Sequence, residues 1–193
     1  MEADPAPKNE RGKLPRTKIK PWEPKEIILA VLSMKWEPGE DLRFGISHLE
    51  HIDGDNVVAE AVRVADPRWT PPAPFGRPTP WDIPVRQQCY VLAVLDPKIR
   101  NWSFWGEGIE SKGADHAYDF EPFWLEPGDK APRSGAIPTD SHCRVLYFAI
   151  GRRGSKASHG VNYFVKIRDP DGVREMPLIF DPDVPNEGNG IFP

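Results

Sequence analysis

In the final third of the chain, two alternating apolar runs, Val161–Ile167 and Arg174–Phe180, flank the tetrapeptide Asp169-Pro170-Asp171-Gly172. Proline holds φ at about −65° and glycine accepts a positive φ without steric cost, so the turn is specified locally while β-branched and aromatic neighbours specify strands. A β-hairpin is expected here. Further upstream, Glu26–Met34 contains the longest uninterrupted apolar run, Ile27–Leu32, and reads as a first, central strand closed by the turn Glu37-Pro38-Gly39-Glu40. Arg43–Ile52 alternates less cleanly. The tight turn Asp53-Gly54-Asp55-Asn56 then leads into the valine-rich Val57–Val64, so strands two and three are expected to pair as a hairpin.

Gln87–Leu95 resumes strand character. Asn101–Ile109 is short and aromatic, with Trp102 and Phe104 facing away from Trp105 if it is extended. Residues 110–140 read mostly as loop with a short strand near Phe120–Leu125, His142–Ile150 as a strong strand, and Gly151–Gly160 as a polar, basic loop. No apolar period of 3.6 persists over three turns, and no internal repeat is visible, which argues against helical and solenoid folds. The expectation is an all-β chain, an antiparallel β-sandwich of about eight strands, with a small β-barrel as the alternative.

Two segments fall outside this pattern. Residues 1–25 combine low hydrophobicity with many prolines and charges and are expected to form a disordered arm ahead of a single domain over 26–193. Between Ala65 and Pro84, prolines at 67, 71, 72, 74, 78, 80 and 84 remove the donors a ladder needs, so a long loop is expected, held to the body by Trp69, Phe75 and Trp81.

Charge adds little. The formal net charge of the 193 residues is −4, but residues 1–25 carry seven Lys/Arg against four Asp/Glu, a net +3 that leaves −7 for the remainder. This balance does not point to nucleic acid. No apolar stretch approaches the roughly 18–20 residues of a membrane span, and the N-terminal residues lack the apolar core of a secretory signal, so a cytoplasmic protein without membrane contact is expected. Cys89 and Cys143 sit inside apolar runs, which favours two buried free thiols over a disulfide.

Candidate chemistry is sparse. His48, Glu50, His51 and Asp53 concentrate ligands suited to a divalent metal, although strand alternation would put His48 and Glu50 on one face and His51 on the other. Arg152, Arg153 and Lys156 could contact an anion, but without P-loop spacing. Trp69, Phe75, Trp81, Trp102 and Trp105 could form an aromatic ligand surface or serve as core anchors. Ser141 and His142 are neighbours, yet no nucleophile elbow is present, and no carboxylate pair can be chosen among residues 107–126. The sequence thus implies no cofactor and favours a non-enzymatic module that associates with itself or with another protein. The alternative is a metal-dependent or carbohydrate-binding protein with its site in the 65–84 and 101–126 loops.

Overall fold

Strand β1 (Glu26–Lys35) carries six consecutive apolar residues, Ile27–Leu32, each no more than 1% exposed. Its side chains alternate between two separate cores. Ile28, Ala30 and Leu32 enter one, while Ile27 and Leu29 enter the other, so the strand is covered on both faces. The computed structural model describes residues 24–35, 43–73, 83, 88–111, 122–150, 158–169, 171, 175–180 and 183–185. Residues 1–23 of the expected arm, the turn at 37–40, and positions 74–82 of the proline-rich stretch lie outside them.

β2 (Arg43–Asp53) pairs antiparallel with β1, in regular register from Glu26↔Asp53 to Val31↔His48. The register then shifts, and Leu32 faces Ile46. The irregularity is held by Ser47 Oγ, which donates to the Val31 carbonyl at 3.3 Å, and by Ser33 Oγ, which donates to that of Gly45 at 3.0 Å.

The expected third strand is instead a helix, α1 (Val57–Ala65). Asn56 caps it, its side-chain oxygen accepting from the Ala59 amide at 3.1 Å. Val57, Ala61, Val64 and Ala65, spaced as one helical face, are buried against the sheet. The β-preference of valine is worth only tenths of a kcal/mol per residue, about 0.5, less than a cap together with an apolar helical face. The hairpin expected between strands two and three therefore does not form, and β2 pairs with β1 instead.

α1 occupies the crossover to β3 (Cys89–Leu95), which lies parallel to β1 from Ile27↔Tyr90 to Leu32↔Leu95. A parallel pair needs such a crossover. Next come β4 (Trp102–Ser111), β5 (Phe123–Leu125), β6 (Arg133–Ser134) and β7 (Val145–Ile150). The chain closes with β8 (Ser158–Arg168), β9 (Glu175–Phe180) and β10 (Asp183–Pro185). The first sheet has the order β2-β1-β3-β7-β5-β6. In the second, β8 lies between β4 and β9, and β10 prolongs β9 without a shift, since Phe180 faces Tyr163 and Asp183 faces Gly160.

The expected C-terminal hairpin is thus present as β8 and β9. Two boundaries differ from expectation. His142–Arg144 precede β7 instead of belonging to it, and Ser158–Gly160 pair with β10 instead of lying in the basic loop. The two sheets pack face to face and do not close into a barrel. Phe104, Trp102, Tyr163 and Val165 from the second sheet meet Val91, Leu146 and Phe148 from the first. α1 covers the first sheet's other face, making three layers.

β4 breaks its pairing with β8 between Phe104 and Ile109. Gly106 and Gly108 there adopt φ of 59° and 68°. Gly106 instead exchanges hydrogen bonds with Ile137, at 3.1 and 2.7 Å, and Phe104 N donates to the Cys143 carbonyl at 2.8 Å. A Cβ on Gly108 would sit 3.0 Å from Ile137 Cδ1.

Two substitutions test this account by urea denaturation. Asn56→Ala should cost about 1 kcal/mol through the lost cap. Gly108→Val should cost more, roughly 2–3 kcal/mol, because strain at positive φ adds to the clash with Ile137.

Candidate functional site

The strongest sequence cluster lies on β2, at the outer edge of the first sheet. Among the described residues β2 pairs with β1 alone, which leaves its other edge unpaired. Strand alternation divides the four candidate ligands. His48 pairs with Val31 in register and Glu50 with Leu29, on the helix-covered face, where His48 Nε2 lies 3.4 Å from Glu50 Oε2. His51 pairs with Ile28, on the face toward the second sheet, and its Nδ1 lies 2.5 Å from Glu26 Oε1. Each face therefore holds one His–Glu pair, and a zinc site needs three or four ligands converging on one point. Among the described residues, no group of three His, Cys, Asp or Glu side chains is placed to hold a metal ion.

The aromatic set is dispersed. Trp102 is buried in the core between the sheets, its indole N–H donating to the Asp96 carbonyl at 3.2 Å. Trp69 packs beside α1 and lines a cavity of about 200 Å³ with Pro67, Pro97 and Pro127. Trp105 lies on the far face of the second sheet, edge-on to Phe164 at 6.1 Å. Trp69 and Trp105 thus belong to opposite outer layers and share no surface. Phe75 and Trp81 lie outside the described residues, as do Arg152, Arg153 and Lys156. Trp124, in β5, is buried, donates to the Gly135 carbonyl at 3.0 Å and carries the Arg133 guanidinium over its ring at 5.0 Å.

Neither thiol resembles a nucleophile. Both are free and buried, and burial pushes Cys89 up to about 12 and Cys143 upward from its ordinary value. The Ser141 hydroxyl is committed to its turn, donating to Glu126 Oε1 at 2.7 Å and accepting from the Cys143 amide at 3.1 Å.

Sequence reasoning missed two polar constructions. Arg144, half-buried, donates to the carbonyls of Pro97, Ile99 and Arg100 at 3.3, 3.0 and 2.7 Å and so fixes the β3–β4 connection. Burial lowers its pKa, which Asp96 opposes. On the outer face of the second sheet, Arg168 Nε and Lys166 Nζ approach Glu175 Oε1 at 2.6 and 3.4 Å, with Lys166 only 3% exposed. The Arg168 hydrogen bond first, then the charge on Lys166, holds the Glu175 carboxyl below its ordinary value. Alternation along β8 and β9 could have revealed this cluster, but only once their register was known.

No protein-family model matches the sequence, and no curated protein matches it.

Two measurements check these assignments. Iodoacetamide at pH 8 should leave both cysteines unmodified in the folded chain and label both after unfolding, since raised thiol pKa values leave little thiolate. A carboxyl with depressed pKa stabilises the fold above the ordinary glutamate range and loses that contribution as pH falls through it and below. Glu175→Gln should therefore lose less Tm than the parent chain when the pH is lowered from about 6 to 3.

Proposed function

We propose that this chain is a binding module that associates with a second copy of itself by strand addition to the outer edge of β2. The observation that carries the reading is the edge itself: a regular stretch, Leu49–Asp53, free of proline and paired among the described strands with β1 alone. Unpaired strand edges are templates for another chain unless short, bulged or interrupted by proline. The other edges carry such features. β6 has two residues, β4 is bulged over 105–108, and β9 contains Pro177.

Charge favours the N-terminal segment of the second copy as the added strand. Glu50 is exposed along the edge on the face it shares with His48, Asp53 is exposed on the opposite face, and Asp55 follows them. Arg16, Lys18 and Lys20 alternate with Thr17 and Ile19, a strand period with one basic face. Opposite charges on adjacent strands contribute roughly 0.2–1 kcal/mol per pair and set register and partner choice.

Analytical ultracentrifugation tests the reading. The full chain should sediment as a salt-sensitive oligomer, and either deletion of residues 1–24 or the double substitution Glu50→Lys/Asp53→Lys should shift it to monomer while circular dichroism stays unchanged. A monomeric full chain, or an oligomer indifferent to both changes, would overturn it.

A further inference from the structure

At the end of the sandwich where β1 finishes and β9 begins, the two sheets do not meet fully, and a cleft of about 590 Å³ remains. That volume lies within the roughly 300–1,000 Å³ typical of ligand sites. Its apolar lining is Met34, Ile99, Ile167 and Met176. Met34, Ile99 and Ile167 are partly buried, but Met176 is 50% exposed, although its register partner Ile167 faces the core. Two methionines give this surface an adaptable shape, suited to a flexible aliphatic chain.

The charged groups at the mouth are unequally committed. Arg168 is engaged by Glu175 and by the Thr139 carbonyl at 3.1 Å, and the Glu175 carboxylate is neutralised by Arg168 and Lys166. Asp169 has interactions of its own. Arg100 differs: its carbonyl accepts from Arg144, while its guanidinium has no hydrogen-bond or ion-pair partner among the described residues. The backbone beneath it is fixed, because Arg144 holds the carbonyls of residues 97, 99 and 100 and the Arg168 amide donates to the Asn101 carbonyl at 2.6 Å. A forked cation on an anchored loop, beside an apolar cleft with an exposed methionine, is complementary to a carboxylate on a hydrocarbon chain.

We infer that this cleft binds an aliphatic carboxylic acid, its hydrocarbon chain lying on Met34, Ile99, Ile167 and Met176 and its carboxylate paired with Arg100. The apolar part displaces water from Met176 and the head completes the hydrogen bonding of the guanidinium, so the two halves of the ligand act on different groups and can be tested separately. The site does not involve the β2 edge, and its test is independent of self-association.

Isothermal titration of the full chain with sodium decanoate, kept below micelle formation, provides the test. Saturable one-to-one binding is expected, weakened about tenfold in Arg100→Gln and also weakened in Met176→Asp, while Arg63→Gln on α1 leaves it unchanged. Decylammonium should bind more weakly than decanoate. Absence of saturable binding, equal affinity for decylammonium, or an unaltered affinity in Arg100→Gln would each overturn the assignment. Arg100 and Met176 are exposed, so both variants should retain the parent circular dichroism spectrum.

Discussion

The architecture follows from the burial of β1 on both faces. Six consecutive apolar residues in an extended strand point alternately up and down, and no single covering layer can remove them all from water. Full burial of an aliphatic side chain contributes roughly 1.5–3 kcal/mol, so leaving either face of β1 wet would cost a large part of the stability of an ordinary domain. The second sheet covers Ile28, Ala30 and Leu32, and α1 with its neighbours covers Ile27 and Leu29. Once both covers are required, β3 can lie parallel to β1, because the chain has already crossed one face as a helix. β7, β5 and β6 then extend the same sheet by antiparallel pairing.

Asp96 and Arg144 are placed so that this double burial does not leave them stranded. Asp96, at the end of β3, donates its amide to the Leu32 carbonyl at 2.8 Å and accepts from Trp102, joining the two strands that finish together to the sheet that packs over them. Arg144, just ahead of β7, does the same, spending its donors on three carbonyls of one loop. A buried cation is costly unless its donors are satisfied, and here the carbonyl oxygens supply that satisfaction while holding the loop that presents Arg100. The loop at the cleft mouth is therefore tied to the core through Arg144.

Most strands were legible in the sequence because each carries its own two-residue alternation or continuous apolar run, bounded by turn residues. The helix was hidden by composition. Val57, Val58, Val62 and Val64 read as strand, yet the spacing of Val57, Ala61, Val64 and Ala65 behind Asn56, with Glu60 in the first turn and Arg63 in the last, was the available helical signal. The candidate sites were less legible for a different reason. Alternation alone foretold that His48 and Glu50 would part from His51, but which strand ends at an edge depends on the order of the whole sheet. The cleft draws Met34, Arg100 and Met176 from three distant segments, and no local spacing connects them.

The glycine-bearing bulge in β4 has a mechanical consequence. Through Gly106 and Phe104, β4 is bonded to the 137–143 segment that runs directly into β7, so backbone hydrogen bonds stitch the two sheets together along that margin. At the opposite margin, among the described residues, β2 and β9 belong to separate sheets with no backbone bond between them. Among the described residues, the sandwich thus resembles a book, bound along one spine by backbone hydrogen bonds and closed along the other side by side-chain packing. Pulling the sheets apart would rupture a few short hydrogen bonds at the spine all at once, but would peel the fore-edge one side chain at a time, so its resistance to force depends on the side from which it is opened.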